Sequence, residues 1–340
     1  ADNDQLVVCN DISNLFSEMD VCYSDSEWRL FIDSSKVSLK AVLLHNGNIY
    51  PSIPVGYSTH MKETYDNVKY LLENLKYVEH EWDVIADFKM ICFLRGLQGG
   101  YTRHMCYLCL WDSRADAVHY KQKVWPSRTE HKIGSHNINH EELIPIHKVL
   151  LPPLHITLGL FKQLVKAMFK FRSAAYEAIR NMFPELSDAK VQGGIFTGPQ
   201  IRKCIQHTKD LESVMNSKEK AAFLAFQTVV SGFLGGFRSP YYEEQIEHMI
   251  KCYQEVGCRM SLKLHMMHSH LDEFKDNLSD YSEQHGERFH QDMKDMEARY
   301  MRQCNETMMG DYIWGLQRDS DTVYKKKRLS MPHFKPVDNK

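Results

Sequence analysis

The chain predicts an α/β fold: a mixed-sheet core, interrupted by a large and mainly helical insertion, with a zinc ion tying the insertion back. Three observations carry this. Apolar runs separated by turn signals fill the first 111 residues, helical periodicity dominates 141–260, and metal-ligand residue types flank that helical stretch. At 340 residues the chain can bury a substantial core and is expected to hold two domains. Hydrophobic residues make up 43% and charged residues 25%, which excludes a disordered chain. No apolar run reaches membrane-spanning length, and no signal peptide opens the chain. Nine cysteines, an odd number without framework spacing, point to free thiols or metal ligands and to a reduced, intracellular setting. Ala1 as first residue suggests a fragment of something longer, with an N-terminal module missing.

The elements follow in order. Residues 1–27 are polar and acidic and are expected to form a loose lead-in. Trp28 to Asp33 is an apolar strand ending in an aspartate, and Leu39 to Leu44 is the second strand. Asn46-Gly47 is a tight-turn dipeptide, after which Ile49 to Tyr57 forms a third strand, pushed to an edge by Pro51 and Pro54. Tyr65, Val68, Leu71, Leu72 and Leu75 form one helical stripe within 62–77. Trp82 to Asp87 is a buried strand that again ends in aspartate. A short helix over 90–97 follows, then a fifth strand over Met105 to Trp111. The order β-β-β-α-β-α-β matches a ribonuclease-H-like core up to its last strand. The final covering helix must come much later, because residues 112–140 are polar and His-rich. Helices are expected over 156–170, 172–182, 199–206, 218–235 and 240–256, punctuated by Pro152-Pro153, Pro184, Gly193-Gly194 and Ser239-Pro240. A long helix over 281–300 follows the histidines at 265–270. The domains expected are a lead-in (1–27), a catalytic core (28–111 with 272–320), a helical insertion (112–271) and a basic tail (321–340).

Two sets of chemistry-bearing residues interleave. Asp33 and Asp87 each follow an apolar strand. In a ribonuclease-H-like sheet the first and fourth strands are neighbours, so the two carboxylates could share divalent ions, Mg²⁺ or Mn²⁺. A third carboxylate is sought in Glu283-Gln-His-Gly-Glu287, with Glu287 chosen and Glu283 its rival. Cys106-x-x-Cys109 is half of a zinc site, which two of His265, His268 and His270 could complete. A regular strand does not aim positions 106 and 109 together, so this segment requires a local bend. Lys162, Lys166, Lys170, Arg172 and Arg180 form a basic helix side that could track phosphates, although a solvated face is the default. Arg202-Lys203 beyond Gly198-Pro199 and the Lys325–Arg328 run give weaker signals of the same kind. The net charge of −2 argues mildly against extensive phosphate contact.

On these residues the chain resembles the DDE-type transposases with an interrupted ribonuclease-H-like fold. It is most similar to the branch holding the catalytic subunit of the V(D)J recombinase and the Transib transposases, and more distantly to the hAT elements. The resemblance covers roughly 28–300 and rests on order and spacing. It implies that Asp33, Asp87 and Glu287 hold catalytic Mg²⁺ or Mn²⁺, and that Cys106, Cys109, His265 and His270 hold Zn²⁺. It further implies DNA as partner, a homodimer on paired DNA ends, a nuclear location, and cleavage followed by strand transfer. The alternative is a domesticated transposase that binds DNA or protein without chemistry. A third reading is an unrelated zinc-stabilised helical scaffold with scattered acids.

Overall fold

A computed structural model describes residues 6–34, 38–275, 278, 280–300 and 306–320. The side chains at 284, 287, 288, 290, 291, 294, 319 and 320 lie outside the described set. The fold is α/β. Among the described residues one sheet joins β1 (Val7–Val8), β2 (Trp28–Ser34), β3 (Leu39–His45), β4 (Ile53–Ser58), β5 (Asp83–Ala86) and β6 (Val149–Leu150) in the order β1-β4-β3-β2-β5-β6. β3 is antiparallel to both of its neighbours, β2 and β4. β5 and β6 run parallel to β2, so the sheet is mixed.

Both sheet faces are buried, so the strands read as continuous apolar runs rather than alternating ones. One face presents Leu30, Ile32, Leu39, Ala41, Leu43, Val55, Val84 and Ala86 to the larger core. That core takes in α1 (Ile12–Glu18), α2 (Tyr65–Asn74), α3 (Tyr77–His80) and α4 (Phe88–Leu94), and continues into the helices that follow β6. These are α5 (Pro153–Lys170), α6 (Ala174–Met182), α7 (Asp188–Gln192), α8 (Gly198–Gln206), α9 (Thr208–Val214), α10 (Ser217–Gly232), α11 (Tyr242–Glu255) and α12 (Leu262–Ser269). The other face presents Phe31, Val42, Leu44, Tyr57, Ile85 and Leu150. It is covered by α13 (Gln284–Arg299) and α14 (Glu306–Ser320) through Phe289, Met293, Met308 and Met309. α13 lies directly on β2, since a Cβ on Gly286 would stand 2.3 Å from the Phe31 ring.

Four expectations change. The third strand is not an edge, because β1 pairs along the outer side of β4 through Val7 and Val8. Residues 1–27 are not a loose lead-in: Asp11 caps α1 by accepting from the Asn14 N–H at 2.9 Å, and Ile12 and Phe16, one turn apart, bury against the sheet. Residues 105–111 are not a strand. They form turns with one isolated bridge, Cys109 to Ser127, because bringing Cys106 and Cys109 to one point requires the bend that extended backbone forbids. The strand beyond β5 is instead Val149–Leu150, a two-residue piece in a proline-flanked stretch too short to show periodicity. The basic run 325–328 lies outside the described residues.

The segment leading into α13 is anchored to the β2–β3 hairpin by Arg29, whose guanidinium is fully buried. It donates to the carbonyls of His45 and Ser282, both at 2.8 Å, and to Asn46 and Asn48 Oδ1, both at 3.1 Å. Burial pulls its pKa down to about 10, still far above neutral, so the clamp keeps its charge.

Candidate metal centre

Between α4 and β6 the chain makes a long excursion of turns. Arg128 organises it. Its Nε donates to the Cys106 carbonyl at 2.8 Å, its Nη2 to the His104 carbonyl at 2.6 Å and to Asn137 Oδ1 at 2.9 Å, and its Nη1 to the His136 carbonyl at 3.1 Å. Backbone bonds Leu110 N to Pro126 O (2.8 Å) and Arg128 N to Leu108 O (3.1 Å) fold the two limbs together. The Cys-x-x-Cys segment is thereby bent with both thiols inward, and both cysteines are buried. Tyr120, whose hydroxyl donates to the Cys258 carbonyl at 2.8 Å, and Arg259, paired with Asp116 at 2.9 Å, fasten the excursion to the segment leading into α12.

α12 begins at the N-cap Ser261, which accepts from the Leu264 N–H at 3.3 Å. His265 sits in its middle, stacked on Trp111 with ring centroids 4.6 Å apart, and its Nδ1 lies 3.2 Å from Ser269 Oγ. That second contact leaves Nε2 aimed at Cys109 Sγ, 3.3 Å away, as an outer hydrogen bond does for a ligating imidazole. The helix ends at Ser269, so His270 leaves the helical path (φ −137°, ψ 45°) and swings back. Its Nε2 lies 3.3 Å from Cys109 Sγ and 3.6 Å from Cys106 Sγ. The ligand atoms of Cys106, Cys109, His265 and His270 all lie within 4.8 Å of one another.

Tetrahedral zinc with Zn–S near 2.3 Å and Zn–N near 2.0–2.1 Å sets S···N separations of about 3.5 Å. The observed 3.3, 3.3 and 3.6 Å match that spacing, so the four residues could hold a zinc ion. The protonation chemistry agrees. Hydrogen bonding from Cys106, and then from the two imidazoles, draws Cys109 down to about 3 despite burial, while burial raises Cys106 well above an ordinary thiol. The pair thus holds one proton between two sulfurs and already offers one thiolate. Burial also lowers His265, keeping it a neutral donor at neutral pH.

His268 stands apart from this set. Its Nδ1 is buried without a hydrogen-bond partner, and its ring lines a separate cavity of about 400 Å³ with Lys123, His248 and Lys251. Between the three candidate histidines, helix termination selects His265 and His270. Arg128 was invisible to sequence reasoning, since a lone arginine 19 residues beyond Cys109 has no motif; only the folded loop gives it four carbonyl and amide acceptors.

The carboxylates are arranged differently. Phe31 pairs with Ile85 and Ile32 with Ala86 along the parallel β2–β5 ladder, so Asp33 and Asp87 occupy the next adjacent positions at the strand ends. Both are half-buried. One Asp87 oxygen accepts from the Met90 N–H at 2.7 Å as the N-cap of α4. Lys40, directly across from Asp33 on β3, pairs with Glu297 at 3.6 Å. Glu283 is fully buried and caps a different helix. α5 starts on Pro152-Pro153, which offer no capping side chain, and Glu283 Oε1 instead accepts from the His155 N–H at 2.8 Å and lies 3.1 Å from His155 Nδ1. Its Oε2 is buried with no partner. Glu287 lies one turn further into α13, and its side chain is outside the described residues. Among the described residues the Cys/His set is the one group of three or more such ligand atoms close enough to share an ion, and Asp33, Asp87 and Glu283 do not form a second.

Of the basic positions, Arg180 is engaged by Asp188 at 2.8 Å and Glu177 at 3.6 Å, while Lys166 and Arg172 are exposed. None of the helices among the described residues is long and apolar enough to cross a membrane.

Residues 1–144 match a family model described as a domain of unknown function (DUF8703), and residues 153–235 match a second, also described as a domain of unknown function (DUF8704). No curated protein matches the chain. Both cysteines lie within the first matched segment and both ligand histidines beyond the second, so the cluster joins distant parts of the sequence.

Proposed function

We propose that the chain is a DDE-type DNA nuclease and strand transferase with a ribonuclease-H-like core, and that the Cys106, Cys109, His265, His270 cluster is its structural zinc site. The observation that carries this reading is the register of Asp33 beside Asp87 at the ends of two adjacent parallel strands, on a sheet whose next covering helix, α13, contains Glu287. The strand order supports it: three antiparallel strands followed by two parallel ones is the arrangement expected of such a core. So does the return of the chain to α13 only after the helices of 153–269.

In this reading Asp33, Asp87 and Glu287 bind and space two divalent cations. The cations, when bound, would activate the attacking oxygen and stabilise the leaving one. The carboxylates themselves orient and hold, so no covalent protein intermediate is needed. DNA is the substrate, and paired DNA ends held by a homodimer in the nucleus are what the resemblance implies.

A second reading, a DNA- or protein-binding module without chemistry, has one observation in its favour: Asp87 and Glu283 are spent on capping α4 and α5. Titrating Mn²⁺ calorimetrically into the zinc-loaded protein, beside an Asp33→Ala/Asp87→Ala variant, separates the two. Binding by the parent alone, together with Mn²⁺-dependent DNA nicking, supports the nuclease. Equal binding, or none at millimolar metal, supports the binding module.

A further inference from the structure

The cavity of about 400 Å³ opens where three segments meet: the turns around Tyr120, the exposed side of α11 and the last turn of α12. The Tyr120 hydroxyl, donating to the Cys258 carbonyl at 2.8 Å, ties the turns to the chain between the two helices. Ile250 and Met267, both buried, give the cavity an apolar wall. Its polar lining is mainly basic. Lys123 comes from the turns, and His248 and Lys251 come from α11. Glu247 is the one acid that lines it. Glu247 stands one turn before Lys251, a spacing at which ion pairs commonly form. Among the described residues, however, neither Lys123 nor Lys251 enters an ion pair or a hydrogen bond.

His248 carries its proton in a defined place. Its Nε2 lies 3.6 Å from Cys252 Sγ, one turn on, and burial raises that thiol, so the sulfur keeps its hydrogen and donates it. Nδ1 then holds the ring proton and is a donor. The cavity thus gathers two ammonium groups from separate segments and one imidazole N–H. Two like charges on one concave surface repel each other unless an anion lies between them. A phosphate monoester offers three terminal oxygens to three donors, and lysine meets it as a compact point charge. The volume lies within the range of small-molecule sites, and the apolar wall beside the lysines suits a ring-bearing body.

We propose that this cavity binds a small phosphate monoester of the nucleoside-monophosphate class. Lys123, Lys251 and His248 hold the phosphate, and Ile250, Met267 and the Tyr120 ring hold the body. The site is independent of the nuclease reading and contains none of the carboxylates or the Cys/His ligands.

The test titrates adenosine monophosphate, adenosine, inorganic phosphate and a mixed-sequence DNA duplex into the zinc-loaded protein by calorimetry. The parent is compared with Lys123→Met, Lys251→Met, the double variant, Glu247→Gln, and Lys190→Met as a control for loss of one exposed charge elsewhere. Lys123, Lys251 and Lys190 are exposed, so folding should survive, and thermal midpoints check this. Adenosine monophosphate should bind and be displaced by inorganic phosphate, while adenosine should bind far more weakly. Each cavity lysine variant should weaken binding about tenfold, Glu247→Gln should tighten it, and Lys190→Met should leave it unchanged. No binding at millimolar adenosine monophosphate, or equal binding by the parent and the folded double variant, would overturn the proposal. Duplex binding that needs both lysines, without binding of the monophosphate, would also overturn it and assign the cavity to a DNA backbone phosphate.

Discussion

The Cys/His cluster and the carboxylate strand ends differ in how far the polypeptide assembles them by itself. The four atoms of Cys106, Cys109, His265 and His270 that could hold a zinc ion lie within 4.8 Å of one another, while Asp87 and Glu283 cap helices and, with Asp33, form no second such group among the described residues. The difference is one of charge. Burial lowers His265, which stacks on Trp111, and raises the Cys106 thiol, so these groups gather as weakly charged, largely apolar bodies. Carboxylates crowded together repel one another when charged and lose hydration, so cations favour their convergence. A Cys/His site can therefore be assembled by packing, whereas a carboxylate site of the proposed kind would need cations to gather it.

The sharpest way to break this contrast is at Cys109. Cys109→Ser is expected to abolish zinc binding, measured by metal analysis, and to lower the thermal midpoint by roughly 10 °C, because metal-binding energy is folding energy. Asp33→Ala should leave the midpoint within a few degrees. Equal losses would mean that both regions are structural.

Asp87→Asn comes next. Asparagine keeps the N-cap on Met90 as well as aspartate does, so α4 should be unaffected. On the nuclease proposal, the nicking rate is expected to fall by about 10³-fold, several kcal/mol of transition-state stabilisation. Asp87→Ala adds a capping loss of about 1 kcal/mol, readable by urea unfolding. Unchanged nicking in Asp87→Asn would leave the residue with its capping role alone.

Gly286→Ala probes the contact that holds α13 over the carboxylate strands. Its Cβ would meet the Phe31 ring at 2.3 Å, and a cost of about 1–3 kcal/mol is expected from overpacking. On the nuclease proposal, nicking should fall more than zinc affinity, since the cluster lies on the other side of the sheet from this helix.

The smallest effects are protonic. Cys109 already lies at about 3 and Cys106 is raised, so zinc uptake near pH 7 should release about one proton, read by calorimetry in buffers of different ionisation enthalpy. Release of about two would show that neither thiol is ionised beforehand. His268, half-buried and held down to about 4, should make its own small contribution. Its folded pKa lies below the unfolded value of about 6.5. The stability it gives is present above that value and erodes as pH falls toward 4, because the unfolded chain takes up the proton first. His268→Gln should flatten the midpoint-against-pH curve in that window.

The strands ending in Asp33 and Asp87, the Asn46-Gly47 hairpin and the helices after Pro152 were legible because each carries a local signal: an apolar run, a turn dipeptide, a 3.6-residue stripe. The Cys-x-x-Cys pair and a late histidine group were legible as ligand types. What sequence alone could not determine were long-range pairings. A two-residue β6 has no period to detect, and an amphipathic pair at Ile12 and Phe16 inside an acidic stretch shows its burial only once the sheet exists. The choice of His270 over His268 follows from where α12 ends, and Arg128 matters only because four separated acceptors meet it. The sequence by itself determined which residue types carry chemistry and the alternation of elements, since those depend on neighbours along the chain. Tertiary structure decided which of them meet, because convergence depends on backbone bends, helix ends and packed faces that lie far apart in the sequence.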